Sequence, residues 1–360
     1  MPLLILVFIT AFIISIYSTP ALIKVAILKR LTDAPGDKRK IHRKSIPNIG
    51  GIVIYASTIF SFSLWFAAIG DDYLFQTFKE FKLIIACSLV LFFVGVKDDI
   101  VGTAAVKKLF AHILVALILV LMGDIRILGL HNIFGVSEIP YWASVFISIF
   151  TYVVVVNSFN LIDGVDGLAA GVGFISCLAF GIWFGFAREL QYASLAFALA
   201  GALLGFLFFN FSPAKIFMGD SGSIILGMFI CILSIKLIEY PINNLNWFWQ
   251  KISKPIFVIS IISYPLLDTF RVVLIRTLNG QSPFLADKNH IHHKLIDCNY
   301  SHTKITIIIY IFSLLTIFSS LITFLTNSPT PGFFAVLAMC MFFLLFVLIK
   351  NKKHSIKLNN

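Results

Sequence analysis

Uncharged apolar runs of about twenty residues recur along the whole chain, separated by short segments where polar, glycine and proline residues gather. Phe312 to Phe324 and Phe333 to Ile349 are such runs, with no charged side chain in either. Water cannot satisfy backbone N–H and C=O groups inside a bilayer, so a spanning run must be a helix or part of a closed barrel. Runs near twenty residues fit helices, whereas barrel strands need only about ten. The pattern predicts an all-α polytopic integral membrane protein with about eleven transmembrane helices. They fall at roughly 3–27, 51–69, 80–96, 108–123, 141–158, 168–186, 191–209, 222–239, 254–276, 304–326 and 333–350. No Lys or Arg precedes the first run, while Lys24, Lys29 and Arg30 come late in it or after it, so it reads as a spanning helix and not a signal peptide. No repeat or linker interrupts the pattern, and residues 1–360 read as one transmembrane domain. Gly123 to Pro140 mixes glycine with β-formers such as Ile125 and Ile127, which predicts a small surface hairpin.

Charge then fixes the orientation. Only 12% of the 360 residues are charged and 59% are hydrophobic, against about 25% charged in soluble domains. The net charge of +11 sits mostly in short loops, as topology signals do, and forms no basic groove interleaved with aromatics, so nucleic acid is not an expected partner. One set of loops and helix ends holds Lys29, Arg30, Lys38, Arg39, Lys40, Arg43, Lys44, Lys97, Lys107, Lys108, Lys215, Arg271, Arg276, Lys288, Lys294, Lys304, Lys350, Lys352, Lys353 and Lys357. The opposite set holds only Lys79, Lys82, Arg126, Arg188, Lys236, Lys251 and Lys254. The positive-inside rule makes the first set cytoplasmic, with the N-terminus outside and the C-terminus inside. The five cysteines form no CxxC pair, and four lie in apolar runs, so neither a zinc site nor a disulfide framework is expected.

Five segments on the cytoplasmic side, near 28–50, 97–108, 157–168, 210–223 and 277–303, concentrate the chemistry. They read Asp33-Ala-Pro-Gly-Asp-Lys-Arg-Lys-Ile-His42 onward through Pro47 to Gly51; Lys97-Asp98-Asp99; Asn157-Ser-Phe-Asn160-Leu-Ile-Asp163-Gly-Val-Asp166-Gly167; Asn210 through Lys215 to Asp220 and Ser223; and Ser282-Pro-Phe to His290-Ile-His292-His293. Adjacent acids after a helix are usually solvated loop charges, but carboxylates at membrane depth are costly and mark function. Acids arriving from three loops on one face make a hard-oxygen environment suited to Mg²⁺. The three histidines stand too close together for a zincin helix, whose ligands are four residues apart. With Arg39, Lys40, His42, Arg43, Arg271 and Arg276 they read as donors for phosphates. The rival reading, a basic surface against anionic lipid, accounts for the Lys and Arg residues but poorly for the histidines. Acids for Mg²⁺ and bases for phosphate, at the membrane surface, point to phosphoryl transfer onto or off a lipid.

Taken in order, these five loops resemble the cytoplasmic motifs of the bacterial polyprenyl-phosphate N-acetylhexosamine-1-phosphate transferases. The resemblance runs from Asp33 to His293. His290-Ile-His-His293 after Ser282-Pro-Phe is similar to the branch that uses UDP-GlcNAc. Pro47-Asn-Ile-Gly-Gly51 departs from the Pro-Thr-Met-Gly-Gly of the branch using a muramyl-pentapeptide nucleotide. Carried over, the resemblance implies that Asp220 ligates Mg²⁺, with Mn²⁺ as a substitute, and that Asp98 and Asp99 act on the lipid phosphate or help hold the metal. Asn160, Asp163 and Asp166 then bind nucleotide or assist catalysis. His290, His292, His293 and Arg276, with Lys40 and His42, contact the phosphates or the sugar nucleotide. The implied reaction joins a UDP-N-acetylhexosamine to undecaprenyl phosphate and releases UMP in the bacterial cytoplasmic membrane, at the first membrane step of a surface polysaccharide pathway.

Several alternatives stay open. UDP-N-acetylfucosamine and UDP-N-acetylquinovosamine are rival donors, in-line attack and a covalent aspartyl-phosphate are rival routes, and a homodimer is a further expected partner. A secondary transporter would place its carboxylates near the bilayer midplane in broken helices, not at helix ends. A CDP-alcohol phosphotransferase would follow its first Asp-Gly with Ala-Arg, whereas Asp163-Gly164 and Asp166-Gly167 here lead into Leu168-Ala169-Ala170 with no Arg.

Overall fold

The computed structural model describes residues 2–33, 46–66, 74–133, 135–282 and 289–359. Helix dominates, as the apolar runs require. The elements are α1 (Pro2–Leu28), β1 (Thr32–Asp33), β2 (Ile46–Pro47), α2 (Gly51–Phe66), α3 (Leu74–Val101), α4 (Ala105–Leu117), β3 (Gly129–Ile133), β4 (Val136–Glu138) and α5 (Tyr141–Leu161). There follow α6 (Leu168–Phe186), α7 (Leu190–Asn210), α8 (Asp220–Glu239), α9 (Trp247–Gln250), α10 (Lys254–Ile261) and α11 (Ser263–Leu278). The chain continues through α12 (Ile291–Asp297), α13 (His302–Ser320), α14 (Ile322–Thr326) and α15 (Pro329–Asn359). Among the described residues, eight helical stretches are long and apolar enough to cross a membrane, and the bent pair α10–α11 makes a ninth. This is a multi-pass membrane protein.

Three expected helices take a different form. The run 254–276 is two helices meeting at Ile262 with a 70° bend. The run 108–123 begins as α4 and ends in a π-helical turn, Ile118–Met122. The run 80–96 extends in both directions to become α3, carrying Asp98 and Asp99 on its last turn and not on a loop. The hairpin expected between 123 and 140 is present, with Gly129 opposite Glu138 and Ile133 opposite Val136.

At the centre stands α8, buried almost end to end and packed against α5, α3 and α2. Lipid offers no hydrophobic drive between helices, so close approach through small residues must supply the contact. Gly51 and Gly95 both abut Ser221, near enough that a Cβ on either would fall within 2.6 Å of its backbone. On the far side of the bundle, α1 lies along α7, with Gly201 and Gly205 against the carbonyls of Phe8 and Phe12.

Because α8 runs the depth of the bundle, its two ends mark two separate polar regions. Asp220 begins it. Lys236 and Glu239 end it, where Lys236 pairs with Glu80 at 2.6 Å and Glu239 pairs with His131 of the hairpin at 3.1 Å.

Candidate active site

The Asp220 end of α8 gathers the described parts of all five polar segments. Gly219 precedes the helix with φ of +72°, and a Cβ there would meet the Asn48 carbonyl at 2.6 Å and the Asp99 carboxylate at 2.7 Å. Glycine is therefore required twice over, for the backbone conformation and for the space. The first N–H groups of a helix have no partner within it. Here Asp99 supplies one from another helix: its Oδ1 accepts from the Asp220 amide at 2.7 Å and its Oδ2 from the Ser221 amide at 3.0 Å. Both Asp99 oxygens are thereby engaged by backbone, although the sequence points to it as a metal ligand. The segment after β2 is fastened to the same turn, since Phe217 donates to the Pro47 carbonyl and Gly50 and Gly51 donate to Phe217 and Met218.

Around Asp220 the carboxylates crowd. Lys108, from the first turn of α4, reaches Asp220 Oδ2 at 2.6 Å and Asp98 Oδ2 at 3.0 Å. Asn160, on the last turn of α5, donates from Nδ2 to Asp220 Oδ1 at 3.0 Å and to Ser223 Oγ at 2.9 Å. Asp163 is half-buried in the following turn, facing Asp220 and Asp99. Desolvation first, and then those two charges, push its carboxyl well above the usual carboxylate range, offset in part by the Gly219 amide. Among the described residues no group of three or more Asp, Glu, His or Cys side chains is placed to hold a metal ion. Asp98 and Asp220 share one ammonium and Asp163 feels the charge of Asp220, so the cluster holds more acid than base, in carboxylate oxygens of the kind that hard cations take.

Asp166 has a different environment. It is buried, accepts from the Ala214 amide at 3.2 Å, and stands 3.3 Å from His302 Nδ1, while its own carbonyl takes the Thr306 hydroxyl at 3.0 Å. Tyr310 caps the neighbouring Gly167 carbonyl at 2.5 Å. These bonds tie the 163–167 turn to α13 and to the 210–219 loop, which makes Asp166 a brace for the site and keeps it off the carboxylate cluster.

The histidines meet the acids across Gly164. A Cβ on Gly164 would lie 2.9 Å from His292 Nε2. His292 is fully buried, and burial above all pushes its imidazole down to about 3, so it is neutral at physiological pH. His290 and His292 stack at 5.4 Å between centroids, and His293 lies 4.5 Å from His292. Asp268 of α11 positions this row: its Oδ2 accepts from His290 Nδ1 at 2.6 Å and its Oδ1 from the Ile291 amide at 2.6 Å. With Nδ1–H given to a carboxylate, Nε2 is the ring nitrogen left for other partners, an acceptor in the neutral imidazole and a donor only in the imidazolium. Arg276 is buried near the end of α11, and Arg271 donates to the Asn289 carbonyl. Lys40 and His42 lie outside the described residues.

Two members of the site, Lys108 and Asp268, were not singled out from the sequence. Both had a signal. Lysine in the first turn of a helix opposes the macrodipole, and Asp268 is a lone carboxylate within an apolar run.

Comparison with known proteins gives a consistent picture. Residues 81–238 match glycosyl transferase family 4. The chain is 31% identical over 290 residues to a decaprenyl-phosphate N-acetylglucosaminephosphotransferase of Mycobacterium tuberculosis, covering 76% of this chain and 71% of that protein. The Mycolicibacterium smegmatis protein of the same name is 32% identical over 323 residues, covering 85% and 78%. An undecaprenyl-phosphate alpha-N-acetylglucosaminyl 1-phosphate transferase of Escherichia coli is 29% identical over 296 residues, covering 79% and 74%.

Proposed function

The chain belongs to glycosyl transferase family 4, and on that premise we propose that it is a phosphotransferase that moves N-acetylglucosamine-1-phosphate from UDP-GlcNAc to a polyprenyl phosphate and releases UMP. One observation supports this reading above the others: a cluster of carboxylates and a row of histidines share the 160–167 turn as a common floor, joined through Gly164 and His292. The first suits a cation-bound diphosphate, the second suits phosphate oxygens, and the reaction needs both within reach of one phosphorus.

Undecaprenyl phosphate is the acceptor in this reading, and Mg²⁺ or Mn²⁺ is the cation, held by Asp220 with Asp98 and Asp163. When bound, the cation neutralises charge on the diphosphate. The remaining work belongs to side chains. Asp98 takes the proton from a monoprotonated lipid phosphate, whose oxygen attacks the β-phosphorus in line. His290, fixed through Asp268, donates from Nε2 to the diphosphate in its imidazolium form, and neutral His292 adds a hydrogen-bond donor without charge. Asp99 contributes indirectly, by holding the start of α8 where Asp220 must stand.

In this reading α2, a shorter apolar helix, and α3, which is not among the nine candidate spans, also cross the membrane, for eleven spans in all. The loop charges then put Met1 outside and the Asp220 end of α8 in the cytoplasm of a bacterial inner membrane, where UDP-sugars are made. The test is purified protein in nanodiscs with undecaprenyl phosphate and a panel of UDP-N-acetylhexosamines. UMP release is expected with UDP-GlcNAc and is expected to stop in chelator and return with Mg²⁺. Turnover only with another sugar would move the donor assignment, and full turnover in chelator would remove the cation.

A further inference from the structure

We infer that Thr306 and Tyr310, two hydroxyl residues inside the apolar helix α13, are positioning residues for the transfer, setting where the 163–167 turn stands between the acid cluster and the histidine row. The inference rests on the reading of that turn as the floor of the active site. It starts from what the turn cannot do alone. Residues 162–167 are all that connects α5 to α6. Gly167 closes the connection with φ of +75°, and α6 begins there without a side-chain cap. A glycine in the left-handed region has the widest backbone freedom of any residue, so this stretch does not fix its own conformation. The partners that fix it come from elsewhere. Asn210 takes the Gly167 amide at 3.1 Å, and α13 takes the carbonyls.

Residues 302, 306 and 310 are spaced four apart, which aligns them on one face of α13. His302 Nδ1 stands 3.3 Å from Asp166 Oδ1, the Thr306 hydroxyl donates to the Asp166 carbonyl at 3.0 Å, and the Tyr310 hydroxyl donates to the Gly167 carbonyl at 2.5 Å. The fit is built from both sides. A Cβ on Gly171, one turn into α6, would fall 1.7 Å from the Tyr310 hydroxyl, so the tyrosine reaches its carbonyl only past a glycine. That carbonyl already accepts from the Gly171 amide at 2.9 Å, so the Tyr310 bond is not needed to satisfy it. Its effect is on placement. Only residues 298–301 separate α12 from α13, and His292 of α12 packs over Gly164 while α13 holds residues 166 and 167. One helical unit thus grips the turn at both ends, and the reach from the histidine row to Asp163 follows from that grip.

Hydrogen bonds between membrane helices add little stability on average, because helices separated in lipid find other partners. Misplacing reacting groups costs far more in rate. Thr306→Val and Tyr310→Phe remove the two hydroxyls at nearly constant volume, and Thr306→Ser keeps one. Thr316→Val is the control, since it removes a buried hydroxyl of the same helix that bonds Ser263 and the Ser260 carbonyl. Purified proteins in nanodiscs are compared by steady-state UMP release and by thermal unfolding. Thr306→Val and Tyr310→Phe are each expected to lose kcat at least about tenfold, with the KM for UDP-GlcNAc close to wild type. Thr306→Ser should recover most of the loss. Thr316→Val should keep wild-type kcat while melting close to Thr306→Val. Tyr310→Phe carries the test if Thr306→Val does not fold. Unchanged kcat in either folded variant, an equal loss in Thr316→Val, a change confined to KM, or no recovery in Thr306→Ser overturns the positioning role and leaves α13 a structural support. Wild type that releases no UMP from any UDP-N-acetylhexosamine overturns the proposed function, and the inference falls with it.

Discussion

His290 Nδ1 and Asp268 Oδ2 meet at 2.6 Å in a buried setting, and the other Asp268 oxygen fixes the backbone of the next residue. Asp268→Asn keeps the volume but exchanges a charged acceptor for a neutral amide. A charge-assisted hydrogen bond is worth about 1.5–3 kcal/mol, so kcat/KM is expected to fall roughly 10- to 150-fold. His290→Ala should fall at least as far, and the double variant should lose less than the sum of the two, because one Asp268 oxygen acts through the imidazole while the other holds the Ile291 amide. Additive losses in steady-state kinetics would separate the two residues. Asp98 should behave differently. As a base for the lipid phosphate, Asp98→Asn lowers kcat while sparing the KM for UDP-sugar, and raised pH restores part of the turnover as the lipid phosphate ionises unaided. A phosphorylated Asp98 trapped by rapid quench would instead favour the covalent route. Side chains in polar loops were legible from sequence because polar residues at membrane depth are conspicuous. Lys108 and Asp268 were not, since one passed for a topology charge and the other lay inside a run whose periodicity gave no reason to break it.

Helix boundaries followed from hydropathy to within a few residues where both ends were polar, as at α6, expected and found at 168–186. They failed where geometry depends on neighbours. The 70° bend between α10 and α11 and the π-helical turn after α4 preserve apolar composition, so nothing in the residue pattern records them. The start of α8 shows the same limit. Its dependence on Asp99 is a long-range bond across 121 residues, invisible to any local reading. That dependence makes a prediction about the element. Gly219→Ala meets an unfavourable φ of +72° and three oxygens within 2.7 Å. The backbone cost alone is roughly 1–2 kcal/mol, and the displaced Asp99 adds an uncapped helix start. The variant is expected to melt several degrees below wild type and to lose most turnover. Unchanged thermal unfolding would show that the turn relaxes freely and that the cap is dispensable.

For the molecule as a whole, the loop charges and the structure divide the bundle into two polar ends joined by α8. The orientation of those ends is testable without any chemistry. Single-cysteine variants on a background lacking the five native cysteines should accept a membrane-impermeant maleimide from outside at Gly129→Cys and not at Lys215→Cys. The reverse pattern would invert the topology. Burial of α8 also has a meaning in time. A ribosome adds about 5–20 residues per second, so Asp99 emerges on the order of ten seconds before the helix whose amides it caps. Gly164 then waits again for His292, and Asp166 for His302. A fragment ending before α12 would lack His292 and His302 and is expected to release no UMP in the same assay. Order of synthesis therefore makes completion of the proposed site a late event in the life of each copy.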